Sequence, residues 1–224
     1  IYGKGFGISY FTTRASLTDM PEYAGLFAHM NSARVVDLFM EQVNIHGRSA
    51  AGAVAGSAIN SIIDRVDVTG EIHSPLYAGG VAGEIKDYKT VRVSGVNAAA
   101  GGIVGFASDS VITDSSSSSH LLTELGSSSA GGIAGYVENS LILNSIHEGT
   151  IKTATASDVH SGGIVGRGAN STVASCYTDT KLTASNGLGS SAGGIAGFFV
   201  GSEIKSSAVM GLTIEGGSAG RIAG

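Results

Sequence analysis

Tryptophan is absent from this 224-residue sequence, cysteine occurs once and proline twice. A lone Cys176 cannot form an intrachain disulfide, so a disulfide-stapled fold is excluded, although export is not. No run of about 18 apolar residues exists, and a membrane-spanning helix is excluded with it. Membrane insertion is not expected for that reason; charge is sparse at 14% and nets to −5, which argues against nucleic acid and anionic membrane as main partners. Between residues 101 and 220 the only basic side chains are Lys152, Arg167, Lys181 and Lys205, against nine Asp or Glu. Helical periodicity is missing too: no stretch holds apolar residues at i, i+3, i+4 and i+7 over three turns. Residues 33–45 come nearest, but Val35, Val36, Val43 and Ile45 favour strand.

Glycine, by contrast, is abundant at 35, in a chain that is 42% hydrophobic. That hydrophobicity excludes a disordered Gly-rich linker. The glycines recur in blocks: Gly79-Gly80-Val81-Ala82-Gly83, Gly101-Gly102-Ile103-Val104-Gly105, Gly131-Gly132-Ile133-Ala134-Gly135, Gly162-Gly163-Ile164-Val165-Gly166 and Gly193-Gly194-Ile195-Ala196-Gly197. Weaker copies are Ala51–Gly56 and Ala219–Gly224, and Ala24-Gly25-Leu26-Phe27-Ala28 reads as the first. From Gly56 onward the closing glycines are spaced 27, 22, 30, 31, 31 and 27 residues apart. A fixed period of this length is the mark of a solenoid.

Most blocks are followed by Asn, Asp or Gly and then Ser: Asn31-Ser32, Asn60-Ser61, Asp109-Ser110, Asn139-Ser140, Asn170-Ser171 and Gly201-Ser202. These residue types tolerate left-handed backbone angles, so a corner is expected here. The unit between Gly83 and Gly105 lacks the pair and reads as a trimmed coil. Two residues after the Ser come Ile63, Ile112, Ile142, Val173 and Ile204. Five residues after it come Val66, Ser115, Ser145, Cys176 and Ser207, and eleven after it Ile72, Leu121, Ile151 and Leu182. The last unit slips, with Leu212 and Ile214 straddling the eleventh place.

A coil of this size cannot bury its apolar side alone, but stacked coils bury it by pairing equivalent strands in parallel. The expected fold is therefore all-β: a right-handed parallel β-helix of about eight coils of 22–31 residues, three short strands per coil, on the order of 40 Å long. Residues 1–224 are expected to form a single domain, with less regular coils over 1–50 and regular repeats over 51–224. Ile63, Ile112, Ile142, Val173 and Ile204 should form one interior ladder, and Ile103, Ile133, Ile164 and Ile195 another. Gly102, Gly105, Gly132, Gly135, Gly163, Gly166, Gly194 and Gly197 are expected at corners, either for unusual angles or for close approach. The chain opens on Ile1 and closes on what reads as the start of another repeat, so an excerpt truncated at both ends is expected.

Chemical motifs are weak. His147-Glu148-Gly149-Thr150-Ile151 begins like His-Glu-x-x-His but lacks the second His, and both imidazoles must share a helix face to hold zinc. Gly189–Gly193 and Gly216–Gly220 both match Gly-x-Ser-x-Gly, which carries chemistry only on a strand-to-helix elbow. Cys176 shares its column with serines and reads as a small interior residue. Asp64-Arg65-Val66-Asp67 is the best local candidate for a sugar-processing face and reads as a solvated one. Sugar platforms favour aromatics, here limited to rings such as Tyr77, Tyr88, Tyr136, Tyr177, Phe106 and Phe198; Phe106, Tyr136 and Phe198 each follow a Gly block and should stack over one corner. Thr113, Thr150, Thr178 and Thr213 fall at different places in their units, against an ice-binding face. The six histidines show no ligand spacing and are expected in loops or at the surface. No catalytic, cofactor or metal residue is assigned, and no cofactor is expected.

The blocks Gly102-Ile103-Val104-Gly105, Gly132-Ile133-Ala134-Gly135, Gly163-Ile164-Val165-Gly166 and Gly194-Ile195-Ala196-Gly197 resemble the GLUG repeat, with Ile in place of Leu. The opening Ile1–Ile8 and Tyr23–Phe27 resemble the Gly-rich coil and first copy that begin such arrays. The resemblance implies a β-helical stalk in a large bacterial surface protein, such as an adhesin-like protein or an immunoglobulin-A-cleaving zinc metallopeptidase, in which the repeats lie outside the catalytic domain. The expected role is a non-catalytic structural or interaction module, extracellular or on the bacterial surface. Its partners would be the remaining domains of its parent and a host protein or glycan. Two other roles stand beside it: the accessory region of an exported protease, and a carbohydrate-binding or carbohydrate-active β-helix.

Overall fold

The computed structural model describes residues 7–13, 20–59, 61–74, 76–81, 90–94, 99–123, 128–153, 156–215 and 218–223. Ile1–Phe6, Asn60, the Ala82-Gly83 end of one block, Tyr88, the Gly216-Gly217 pair and Gly224 lie outside these residues, as do the side chains of Arg65, Asp67 and Thr213. Among the described residues there is no helix, and all strand pairs are parallel. The chain is a parallel β-solenoid. Its complete turns number about six rather than eight, because the first and last coils contribute only part of a circuit.

One eight-stranded sheet takes a short strand from each coil, running in order from Tyr23–Ala24 through Ala50–Ala51, Tyr77–Gly79, Ala99–Gly101, Ser129–Gly131, His160–Gly162 and Ser191–Gly193 to Ser218–Gly220. A nine-stranded sheet carries the long strands, among them Arg34–His46, Ile62–His73, Ile146–Thr153, Tyr177–Thr183 and Ala208–Glu215. Two four-stranded sheets complete the later coils, one from Val104–Ser108, Ala134–Glu138, Val165–Ala169 and Ala196–Val200, the other from Val111–Thr113, Leu141–Leu143, Thr172–Ala174 and Glu203–Lys205.

A regular coil thus has four strands, one more than expected. The extra division is a second left-handed corner five residues after the first. Asp109, Asn139, Asn170 and Gly201 have φ of 48–59°, and so do Asp114, Asn144, Ser175 and Ser206 at 47–53°. In the first coil the left-handed residue is Ser32 rather than Asn31.

Ile112, Ile142, Val173 and Ile204 are register partners, the first three buried and Ile204 half-buried. Ile63 lies in an earlier coil. It is buried and pairs with Val35 in the nine-stranded sheet, and no pairing among the described residues links it to Ile112. The longer ladder is the eleventh-offset one, running from Ile45 through Ile72, Val93, Leu121, Ile151 and Leu182 to Ile214. Ile214 enters it because a bulge at Gly211, φ +56°, absorbs one extra residue between Met210 and Thr213, opposite Asp179 and Lys181.

No described glycine of the Gly-Gly blocks has a left-handed φ; space, not angle, selects them. A Cβ on Gly135 or Gly166 would lie 2.5 Å from the backbone nitrogen of Ala100 or Ala130. The strand after each block therefore runs hard against the eight-stranded sheet. Gly102, Gly132, Gly163 and Gly194 would each collide with the next coil's backbone carbonyl.

The corner serines bond along the rod. Ser140 Oγ donates to the Glu138 carbonyl at 2.7 Å and accepts the Ser110 N–H at 3.1 Å. Ser171 and Ser202 repeat the arrangement one and two coils on. Each hydroxyl thereby satisfies a donor and an acceptor that the corner leaves outside the strand ladders.

Candidate functional site

Among the described residues, chemistry-bearing side chains gather in two places, one inside the rod and one on its surface. The inner place follows from strand alternation. In Ile146–Thr153, His147 points inward and is fully buried, correcting the expectation of a surface histidine. Its column contains Ser117, Thr178 and Val209. His147 Nε2 lies 3.3 Å from Ser119 Oγ and Nδ1 lies 2.8 Å from Thr180 Oγ1. Ser117 donates to Ser119, and Thr178 and Thr180 share a further bond, giving one hydrogen-bonded chain across three coils. Burial pulls the imidazole down from 6.5 to about 4, helped by the charge of His120 and opposed by a backbone hydrogen bond at Ser119. His147 is therefore neutral at physiological pH, and it is sealed from any substrate. Ile151, at the place of the second His of the zinc motif, is buried in a ladder.

Cys176 is also interior, in the column of Ser145 and Ser207. Burial raises its thiol to about 11, so it is not a nucleophile at neutral pH.

The outer place is a groove of about 560 Å³ lined by Tyr77, Ser128, Ser129, Tyr136, Asp158, His160, Arg167 and Phe198, with Leu76, Ala99 and Gly189. Its wall is a column of side chains from the third position of each strand after the Gly block: Phe106, Tyr136, Arg167 and Phe198 are register partners. Tyr77 stacks on Phe106 at 5.3 Å, Phe106 tilts against Tyr136 at 5.3 Å, and the Arg167 guanidinium lies 5.6 Å from the ring centres of both Tyr136 and Phe198. His160, nearly buried, stacks on Phe198 at 4.7 Å. Each groove ring is thus engaged by a neighbour: Tyr77 by Phe106, Tyr136 by Phe106 and Arg167, and Phe198 by His160 and Arg167.

Ser191, the central serine of Gly189–Gly193, lies 2.9 Å from His160 Nδ1. Its hydroxyl proton is already given to the Gly197 carbonyl at 2.7 Å. The network therefore places a proton on Nδ1, with His160 donating to Ser191 rather than accepting from it. A nucleophilic serine needs the opposite direction, so this pair is bracing. Burial also lowers the His160 pKa, as does the charge of Arg167, against the pull of Asp158. Nδ1–H leaves Nε2 as an acceptor.

Other sequence candidates are dispersed. Asp64 lies 4.0 Å from Arg34. Thr178 is buried, while Thr113 stacks with Leu143 and Thr150 with Lys181; these make no threonine face. Sequence reasoning missed Arg167 within the aromatic column and both buried histidines. Stepping back by twos from buried Ile151 leads to 149 and 147, which was the available signal for His147. No family model, curated protein or solved structure matches the chain.

Proposed function

We propose that this chain is a non-catalytic spacer and display module of a large secreted or surface-anchored bacterial protein. One observation carries the reading: equivalent residues lie in register coil after coil, as in Gly101, Gly131, Gly162, Gly193 and Gly220. A stack hydrogen-bonded along its whole axis holds what it carries at a set distance, and its side walls vary without disturbing the interior. The resemblance of the Gly-Ile-x-Gly blocks to GLUG repeats supports the bacterial surface as its location.

Small-angle scattering of the purified chain, with turnover assays on polysaccharides and peptides, tests the module; antibody labelling of intact against lysed source cells tests the location. An elongated particle without turnover, and labelling of intact cells, are the expected results. Saturable turnover, or labelling only after lysis, would overturn the reading.

A further inference from the structure

We propose that the groove beside Arg167 is a binding site for a carboxylate-bearing glycan, with Arg167 holding the carboxylate and Asp158 a sugar hydroxyl pair. The proposal deepens the display reading above and rests on it.

The first support is the state of Arg167. Its guanidinium is flanked by Tyr136 and Phe198, one coil to each side, and it is exposed on its groove side. Among the described residues no carboxylate pairs with it. A planar cation held between two rings loses little freedom when a ligand arrives, and its N–H fork matches a carboxylate in two parallel bonds. Lysine has neither property. The rest of the column consists of rings, so the one cation breaks a pattern that packing alone satisfies with Phe or Tyr.

The second support is the company it keeps. The groove is also lined by Asp158, Ser129, Tyr136 and His160, whose Nε2 is left as an acceptor, while the Ser128 hydroxyl is buried and donates to Thr123. Asp158 and Arg167 line the same groove without an ion pair between them. An acceptor carboxylate beside a donor fork suits a molecule bearing both hydroxyls and a carboxylate, which is the chemistry of a uronic acid. A volume of about 560 Å³ falls in the range of small-ligand sites and admits a short oligosaccharide. A peptide would need apolar anchors, and here Tyr136 and Phe198 are already engaged by Phe106, His160 and Arg167. Recognition is thus by polar groups, not by sugar–ring stacking.

Titration calorimetry of the whole chain with an oligogalacturonide, its fully methyl-esterified form and poly-glutamate decides the matter. The acid form should bind, and both esterification and Arg167→Ala should weaken binding at least tenfold. Arg167→Lys should recover little of it, Asp158→Asn should weaken it, and Lys152→Ala should leave it unchanged. Thermal melts of each variant separate loss of binding from loss of fold, Arg167 being exposed. No binding, equal binding of the esterified form, equal binding of poly-glutamate, or insensitivity to Arg167→Ala would overturn the proposal. An elongated, inactive particle that binds no glycan would sink this site and leave the spacer reading standing.

Discussion

Gly132 lies against the imidazole of His147, so closely that a Cβ at 132 would overlap the ring's Cγ and Nδ1. The same Cβ would also strike the Gly163 carbonyl one coil away. The glycine of the repeat and the histidine of the interior chain are therefore one packing unit. Gly132→Ala must push apart either two coils or the buried ring, and a loss of roughly 3 kcal/mol or more is expected from overpacking with backbone displacement. Denaturant melts measure it. A cost within about 0.5 kcal/mol would show that the coil has slack there.

Neutral His147 is tolerated because Ser119 and Thr180 bond both ring nitrogens; no carboxylate is among those partners. The folded ring titrates near 4 and the unfolded one near 6.5, so the unfolded chain takes up the proton first as pH falls. The contribution of His147 is therefore full above pH 6.5, declines by about tenfold in the folding equilibrium per pH unit, and levels off below 4. The total is on the order of 3 kcal/mol. His147→Thr, which copies Thr178 in the same column, should flatten that part of the curve. A wild-type melt unchanged from pH 7 to 4.5 would contradict the buried neutral ring.

Ser161 stands in a column of alanines, Ala130 before it and Ala192 after. It is fully buried, and its hydroxyl is without a hydrogen-bond partner among the described residues. An unsatisfied buried hydroxyl costs about 1–3 kcal/mol. Ser161→Ala should raise stability by about 1 kcal/mol, seen as a higher Tm. A lower Tm would mean that the hydroxyl has a partner after all.

Ile142 is buried between Ile112 and Val173. Ile142→Asn removes ladder packing and buries an amide with no partner, at an expected cost of about 3–5 kcal/mol. Lys152→Asn, on the exposed side of its strand, should cost under about 1 kcal/mol. Equal melts for the two would reverse the inside and outside of the coil.

The repeated spacing alone placed the coils, the first corner at Asp109, Asn139 and Asn170, and the ladder from Ile112 to Ile204, because each depends on residues at constant separation along the chain. The second corner was harder to see: Asp114, Asn144, Ser175 and Ser206 share a backbone angle but no single residue type.

Periodic order, parallel stacking and an apolar interior follow from the amino-acid sequence, since every unit faces the same burial problem and solves it with the same residues. Which histidines are buried, that the block glycines are chosen for clearance, and that Arg167 sits between Tyr136 and Phe198 were decided by tertiary packing. Those facts depend on distances between coils some 30 residues apart, and spacing along one coil carries no information about what the neighbouring coil presses against it.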